Sequence, residues 1–211
     1  MGNGLLHQTK ARVIEALSAV YHTFEMPPPS VIEGCPCCIE TRGTDVLLTT
    51  PLREISGQAL WRYVSGVFLT VGDIRDFRYL LPRILDVSAS DPANANNPEI
   101  VLGKLRLAEW RSWQIDEQLV IEEFIRAWFE QAVVSDIADA NEGWIGWDAE
   151  SVLCGAARAG LSLDRMLPRL AETDAALLLA DMRERFPSKP SNFWEDAPNA
   201  FYEVRAFLDR G

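Results

Sequence analysis

The scarcest resource in this 211-residue chain is histidine. Only His7 and His22 are present, which leaves little provision for His-based nucleophile or acid–base systems. A Gly-x-Ser-x-Gly elbow, a phosphate-binding Gly-Lys-Ser/Thr loop, a dinucleotide fingerprint and a His-Glu-x-x-His helix are all missing. The expectation is therefore a protein that is not an enzyme, with no catalytic residue and no cofactor. Apolar runs are short, the longest spanning 175–180, against the roughly 18 residues that a bilayer crossing requires. The opening Met-Gly-Asn-Gly-Leu-Leu-His has neither the basic start nor the apolar core of a signal peptide. Positive charge is also in deficit: 20 Lys and Arg against 31 Asp and Glu give −11 at pH 7. That balance argues against nucleic acid and anionic membrane surfaces as partners, since both need clustered bases. Four cysteines are too few for a secreted disulfide scaffold in a chain of this length. Together these absences point to a cytoplasmic protein.

What is present is helical periodicity. In 9–24, Val13, Ala16, Leu17, Val20 and Phe24 share one face at spacings of three and four. The stripe Leu60, Tyr63, Val64, Val67 and Phe68 predicts a helix over 58–71, closed by Gly72. Asp73 and Asp76, three apart before an apolar run, predict a capped start for the next helix. A long helix is expected over 116–138, with Leu119, Val120, Phe124, Trp128, Val133 and Ile137 inward. Asn141–Trp147 reads as a turn, with Asp148 as cap for 149–159, and helices are expected over 162–171, 173–186 and 198–209. The fold class is all-α: an irregular multi-helix domain. The echo of Leu81-Pro82-Arg83-Ile84-Leu85 in Leu167-Pro168-Arg169-Leu170-Ala171 suggests solenoid-like, HEAT-like stacking of helix pairs. Residues 1–211 read as a single helical domain, with the Ser, Asn and Pro-rich 88–98 as a loop between two sub-bundles.

Charge is distributed unevenly. Residues 116–157 hold Asp116, Glu117, Glu122, Glu123, Glu130, Asp136, Asp139, Glu142, Asp148 and Glu150 against one base, Arg126. This stretch therefore carries −9 of the total −11. Glu122, Arg126 and Glu130 at i, i+4 and i+8 are ordinary helix-surface pairing, but one Arg does not balance so many acids. Trp144 and Trp147 stand in the turn beside them. Aromatic anchors within complementary charge are a common hot-spot arrangement, and an acidic field speeds encounter with a basic partner. The expected partner-binding set is Asp116, Glu117, Glu122, Glu123, Glu130, Asp136, Asp139, Glu142, Trp144, Trp147 and Asp148. Two plainer readings compete with it, a solvated helix face for the acids and a helix-end core for the tryptophans. Trp61, Trp110, Trp113, Trp128 and Trp194 read as core or groove residues.

A second centre is the loop Gly34-Cys35-Pro36-Cys37-Cys38. Three chemistries fit it: a metal site, with zinc as the cofactor and Cys35, Cys37 and Cys38 as ligands; a redox dithiol at Cys35 and Cys38; or cysteines packed as small hydrophobes. Asp136-x-x-Asp139-x-Asn141-Glu142 does not match a twelve-residue calcium loop.

With this loop and the stretch Gly72-Asp73-Ile74-Arg75-Asp76-Phe77-Arg78-Tyr79-Leu80-Leu81-Pro82-Arg83-Ile84 both in view, residues 30–87 resemble a group of bacterial proteins. That group shares a Cys-Pro-Cys-Cys loop followed by Gly-Asp-x-x-Asp-Phe-Arg-x-x-Leu-Pro-Arg-Ile. In general character the chain also resembles bacterial toxin-immunity proteins, which are small, acidic and mostly helical. That resemblance implies a cytoplasmic toxin inhibitor that acts by protein–protein interaction, binding and occluding a basic toxin domain. The alternative is a metal- or thiol-dependent helical scaffold or enzyme organised by the cysteine cluster.

Overall fold

A computed structural model describes residues 2–35, 44–144, 146–186, 188 and 190–210. Among them run ten α-helices: α1 (Gly2–Thr23), α2 (Thr44–Thr49), α3 (Gly57–Gly66), α4 (Ile74–Ser90), α5 (Pro98–Leu107), α6 (Ile115–Asn141), α7 (Asp148–Arg158), α8 (Leu167–Leu170), α9 (Ala176–Arg185) and α10 (Pro198–Leu208). No strand occurs among the described residues, only two isolated bridges. The protein is all-α. The chain divides into two compact units, one of residues 15–124 and one of residues 1–14 with 125–211.

In the 15–124 unit, α3 packs on α2, α4 and α5, and α4 on α5. Tyr63, Phe77, Leu80, Leu81, Leu85 and Leu102 are fully buried there. Helix α3 stops at Gly66, short of the expected 71. Val67 is extended, Phe68 is left-handed at φ 65°, and Val71 bridges Gly34. The amide of Cys35 donates to Thr70 O (2.9 Å) and that of Gly72 to Glu33 O (2.6 Å). Val67 and Val71, both β-branched, suit the bridged positions on either side of the turn 68–70, and the pairing places the start of the cysteine loop beside the start of α4. The expected cap of α4 is present: Asp73 Oδ1 accepts from Arg75 N (2.8 Å) and Asp76 N (3.0 Å), while Asp76 Oδ2 accepts from Asp73 N (3.2 Å).

The division between units does not fall at 88–98; both boundaries lie inside helices, α1 and α6. Residues 88–90 complete α4, Ser88 Oγ donates to Ile84 O (2.7 Å), and buried Asn96 donates to Ser65 Oγ (3.0 Å). Ser88 and Asn96 thus tie the ends of this segment to α4 and α3.

In the second unit, α9 packs on α8 and α10, and α7 on the 3-10 turn 192–196. Phe186 anchors this core, edge-on to Trp194 at 5.6 Å and stacked on Phe201 at 5.1 Å between centroids. The helix expected over 162–171 is reduced to α8, because Ser162, Leu163 and Asp164 form turns. Of the tryptophans read as core or groove residues, Trp110, Trp113, Trp128 and Trp194 are buried, while Trp61 is half exposed. Leu119, expected inward on α6, is exposed together with Ile115 four residues before it.

Candidate docking surface

The acidic stretch divides by environment. In the 15–124 unit, Glu117 is buried, pairs with Arg78 and accepts from Gln114 N (3.1 Å), which closes the start of α6. Glu122 pairs with Arg111. Asp116 and Glu123 are exposed on the same part of α6.

In the other unit, Glu130 holds the Nε of Arg169 at 2.9 and 3.0 Å, and that guanidinium also grips Asp174. Glu150, buried in α7, pairs with Arg185 and accepts from Ser191 N (3.3 Å) and Trp194 Nε1 (3.4 Å). Four arginines from outside 116–157 thus meet carboxylates within it. Four acids of the expected partner-binding set, Glu117, Glu122, Glu130 and Asp136, already have partners within the chain. Their oxygens are engaged in ion pairs and by backbone amides of the chain itself. The counterions come from residues distant in sequence, so local charge counting does not register them.

Asp136 has the most specific role. Asp148, expected to cap α7, is instead its first residue, and Trp147 at the cap position makes no side-chain bond to the helix. The cap comes from α6: buried Asp136 accepts from Asp148 N (3.3 Å) and Ala149 N (2.8 Å). Burial pushes its carboxyl up to about 7, outweighing the two amide bonds, with Asp148 and Asp139 adding to the rise. Asp148 is shifted upward as well, first by desolvation at the turn and second by Asp139. Gly146 lies directly against Asp136, and a Cβ there would collide with its carboxylate.

Between α6 and α7 the chain turns at Gly143, left-handed at φ 85°. Gly143 N bonds Ala140 O (3.1 Å) and Trp144 N bonds Asp139 O (2.9 Å), a Schellman closure of α6. The turn presents Trp144, 70% exposed, and Trp147, 47% exposed. The plainer reading of both as helix-end core does not hold, because so much of each ring faces solvent. The Arg185 guanidinium lies over Trp147 at 3.6 Å, so that ring already takes a cation on one side. Asp139 is half exposed, and Glu142 and Asp148 are exposed. Of the eleven expected partner-binding residues, the fold brings Asp139, Glu142, Trp144, Trp147 and Asp148 to one turn, within one unit. Sequence reading missed Arg169 and Arg185, which neutralise Glu130 and Glu150. The signal available was the run of five arginines between 158 and 185, directly after the acidic stretch.

Cys35 is exposed and Cys154 buried; Cys37 and Cys38 lie outside the described residues. Among the described residues no group of three or more His, Cys, Asp or Glu is placed to hold a metal ion, and no helix is long and apolar enough to cross a membrane. No family model, no curated protein and no solved structure matches the chain.

Proposed function

We propose that this protein is a non-enzymatic binding protein that docks a cationic protein partner through the Trp144–Trp147 turn, and that the partner is a basic toxin domain whose active site it occludes. The observation that carries this reading is the exposure of two tryptophans in one turn, beside the solvent-facing carboxylates of Asp139, Glu142 and Asp148. Exposed indole is costly to leave in water and is over-represented at the centres of interfaces. Carboxylates around it steer a cationic surface and raise its association rate.

The test is the kinetics of binding to a cationic toxin domain encoded beside this chain. Charge reversal at Glu142 and Asp148 is the appropriate perturbation, since reversing Glu122 or Glu130 would also break internal ion pairs. The double variant Glu142→Lys, Asp148→Lys is expected to slow association about tenfold at low salt and to change dissociation less. Association unaffected by both the reversals and added salt would remove the turn as the docking site.

A further inference from the structure

A buried carboxylate on α6, that of Asp136, takes the first two amides of α7 at the end of the turn. We infer that Asp136 is the positioning residue of this docking surface: ionised, it clamps the Trp144–Trp147 turn onto α6, and seating a cationic segment on Asp139, Glu142 and Asp148 is coupled to loss of its proton. This rests on the docking reading and adds a regulation to it.

Asp136 Oδ1 and Oδ2 accept one amide each from the first two residues of α7. Gly146 packs against the same carboxylate, where a Cβ would collide with it. The charges that raise Asp136 are those of Asp148, at the start of α7, and Asp139, on its own helix; the cation at this turn is Arg185 of α9, over Trp147 and paired with Glu150 of α7. Asp136, Asp139 and Asp148 carry like charges, and the buried member is the one that resists ionisation. Burial and those two acids hold its proton near neutrality, at about 7. A cation seated on Asp139 and Asp148 offsets their repulsion and stabilises the ionised form. The O–H bond of Asp136 then breaks, the electron pair stays on the carboxylate and the proton passes to buffer. By linkage, affinity for a cation rises with pH between about 6 and 8 and is level above.

A decalysine peptide is a suitable probe, because lysine side chains keep their charge throughout that range. Binding is measured by calorimetry at pH 7 in two buffers of different ionisation enthalpy, and by affinity from pH 6 to 8. The wild-type chain is expected to release a fraction of one proton per peptide and to bind several-fold tighter at pH 8 than at pH 6, about tenfold for each pKa unit through which Asp136 moves. Asp136→Asn keeps one acceptor for the α7 amides and cannot ionise. It is expected to bind with the pH-dependent step removed, and since it retains both histidines, the difference isolates position 136. If that variant does not fold, the carboxyl carbon of Asp136 is followed by NMR in the wild-type chain. Its midpoint is expected near 7 without peptide and lower with it. An unmoved midpoint, no proton release, or an Asp136→Asn profile matching the wild type would overturn the coupling and leave docking intact. Failure of the peptide to bind, or equal binding by the Trp144→Ala, Glu142→Lys variant, would overturn the docking reading and the coupling with it.

Discussion

Helices α4 and α7 both begin under an aspartate, but the aspartates come from different places. At α4 the cap is Asp73, adjacent to the helix, and Asp76 answers it from three residues on. At α7 the carboxylate is Asp136, twelve residues upstream on another helix, and the adjacent acid Asp148 does not cap at all. The two arrangements satisfy the same orphan amides. They differ in what else they fix. A local cap decides only where its helix starts, whereas a remote one also fixes the turn between the two helices, here the turn that carries Trp144 and Trp147. Both sites contain a buried acid with a raised carboxyl, Asp76 at about 6 and Asp136 at about 7, and burial is the first cause in each.

The largest expected effect breaks the α7 side of this comparison. Glu150, in the first turn of α7, is 2% exposed and receives Arg185, Ser191 N and Trp194 Nε1. Glu150→Ala leaves the Arg185 guanidinium buried without that partner. Removing one member of a buried pair costs on the order of 3–5 kcal/mol. Urea denaturation is expected to return a loss in that range. A loss under about 1 kcal/mol, the range of an exposed pair, would mean that α7 does not depend on its remote contacts.

Gly146→Ala comes next. Its methyl would displace the Asp136 carboxylate and so strain the cap and the turn together. The expected cost is about 1–3 kcal/mol, the usual range for overpacking, together with a changed emission from Trp144 and Trp147. A variant as stable as wild type with unaltered fluorescence would show that the turn has room to move.

These two helix starts also separate what could be read from the sequence from what could not. The capping box of α4 was legible because both partners lie within four residues, as were the apolar stripes of α1, α3 and α4. The end of α3 was not, because Val67–Val71 fits a helical stripe equally well and yields to a turn at 68–70, beyond which Thr70–Gly72 pairs with Glu33–Cys35, which no local pattern announces. In the candidate site, Trp144, Trp147, Asp139, Glu142 and Asp148 were legible as composition. The internal roles of Glu117, Glu122, Glu130 and Asp136 were not, since each depends on an arginine or amide brought near only by the fold. Charge counted along a chain gives the field before tertiary pairing; the field that a partner meets is what remains after it.

The smallest effects test the comparison most directly, because they set the two adjacent acids against each other. Asp73→Ala removes the acceptor for two amides at the start of α4 and is expected to cost about 1 kcal/mol, with Asp73→Ser recovering most of it. It also removes one of the charges that raise Asp76, so that carboxyl should titrate below 6 in the variant. Asp148→Ala has no cap to lose. It gives up a favourable acid in the first turn of α7, worth a few tenths of a kcal/mol, and relieves repulsion with Asp136 and Asp139. The two contributions oppose each other, and the net change in stability is expected to be under about 0.5 kcal/mol. Asp136 in that variant should titrate below 7, since one of the charges raising it is gone. Sequence position alone assigns Asp73 and Asp148 the same role, so equal losses of about 1 kcal/mol from the two alanine substitutions, measured under the same conditions, would return the α7 cap to Asp148 and take the positioning role from Asp136.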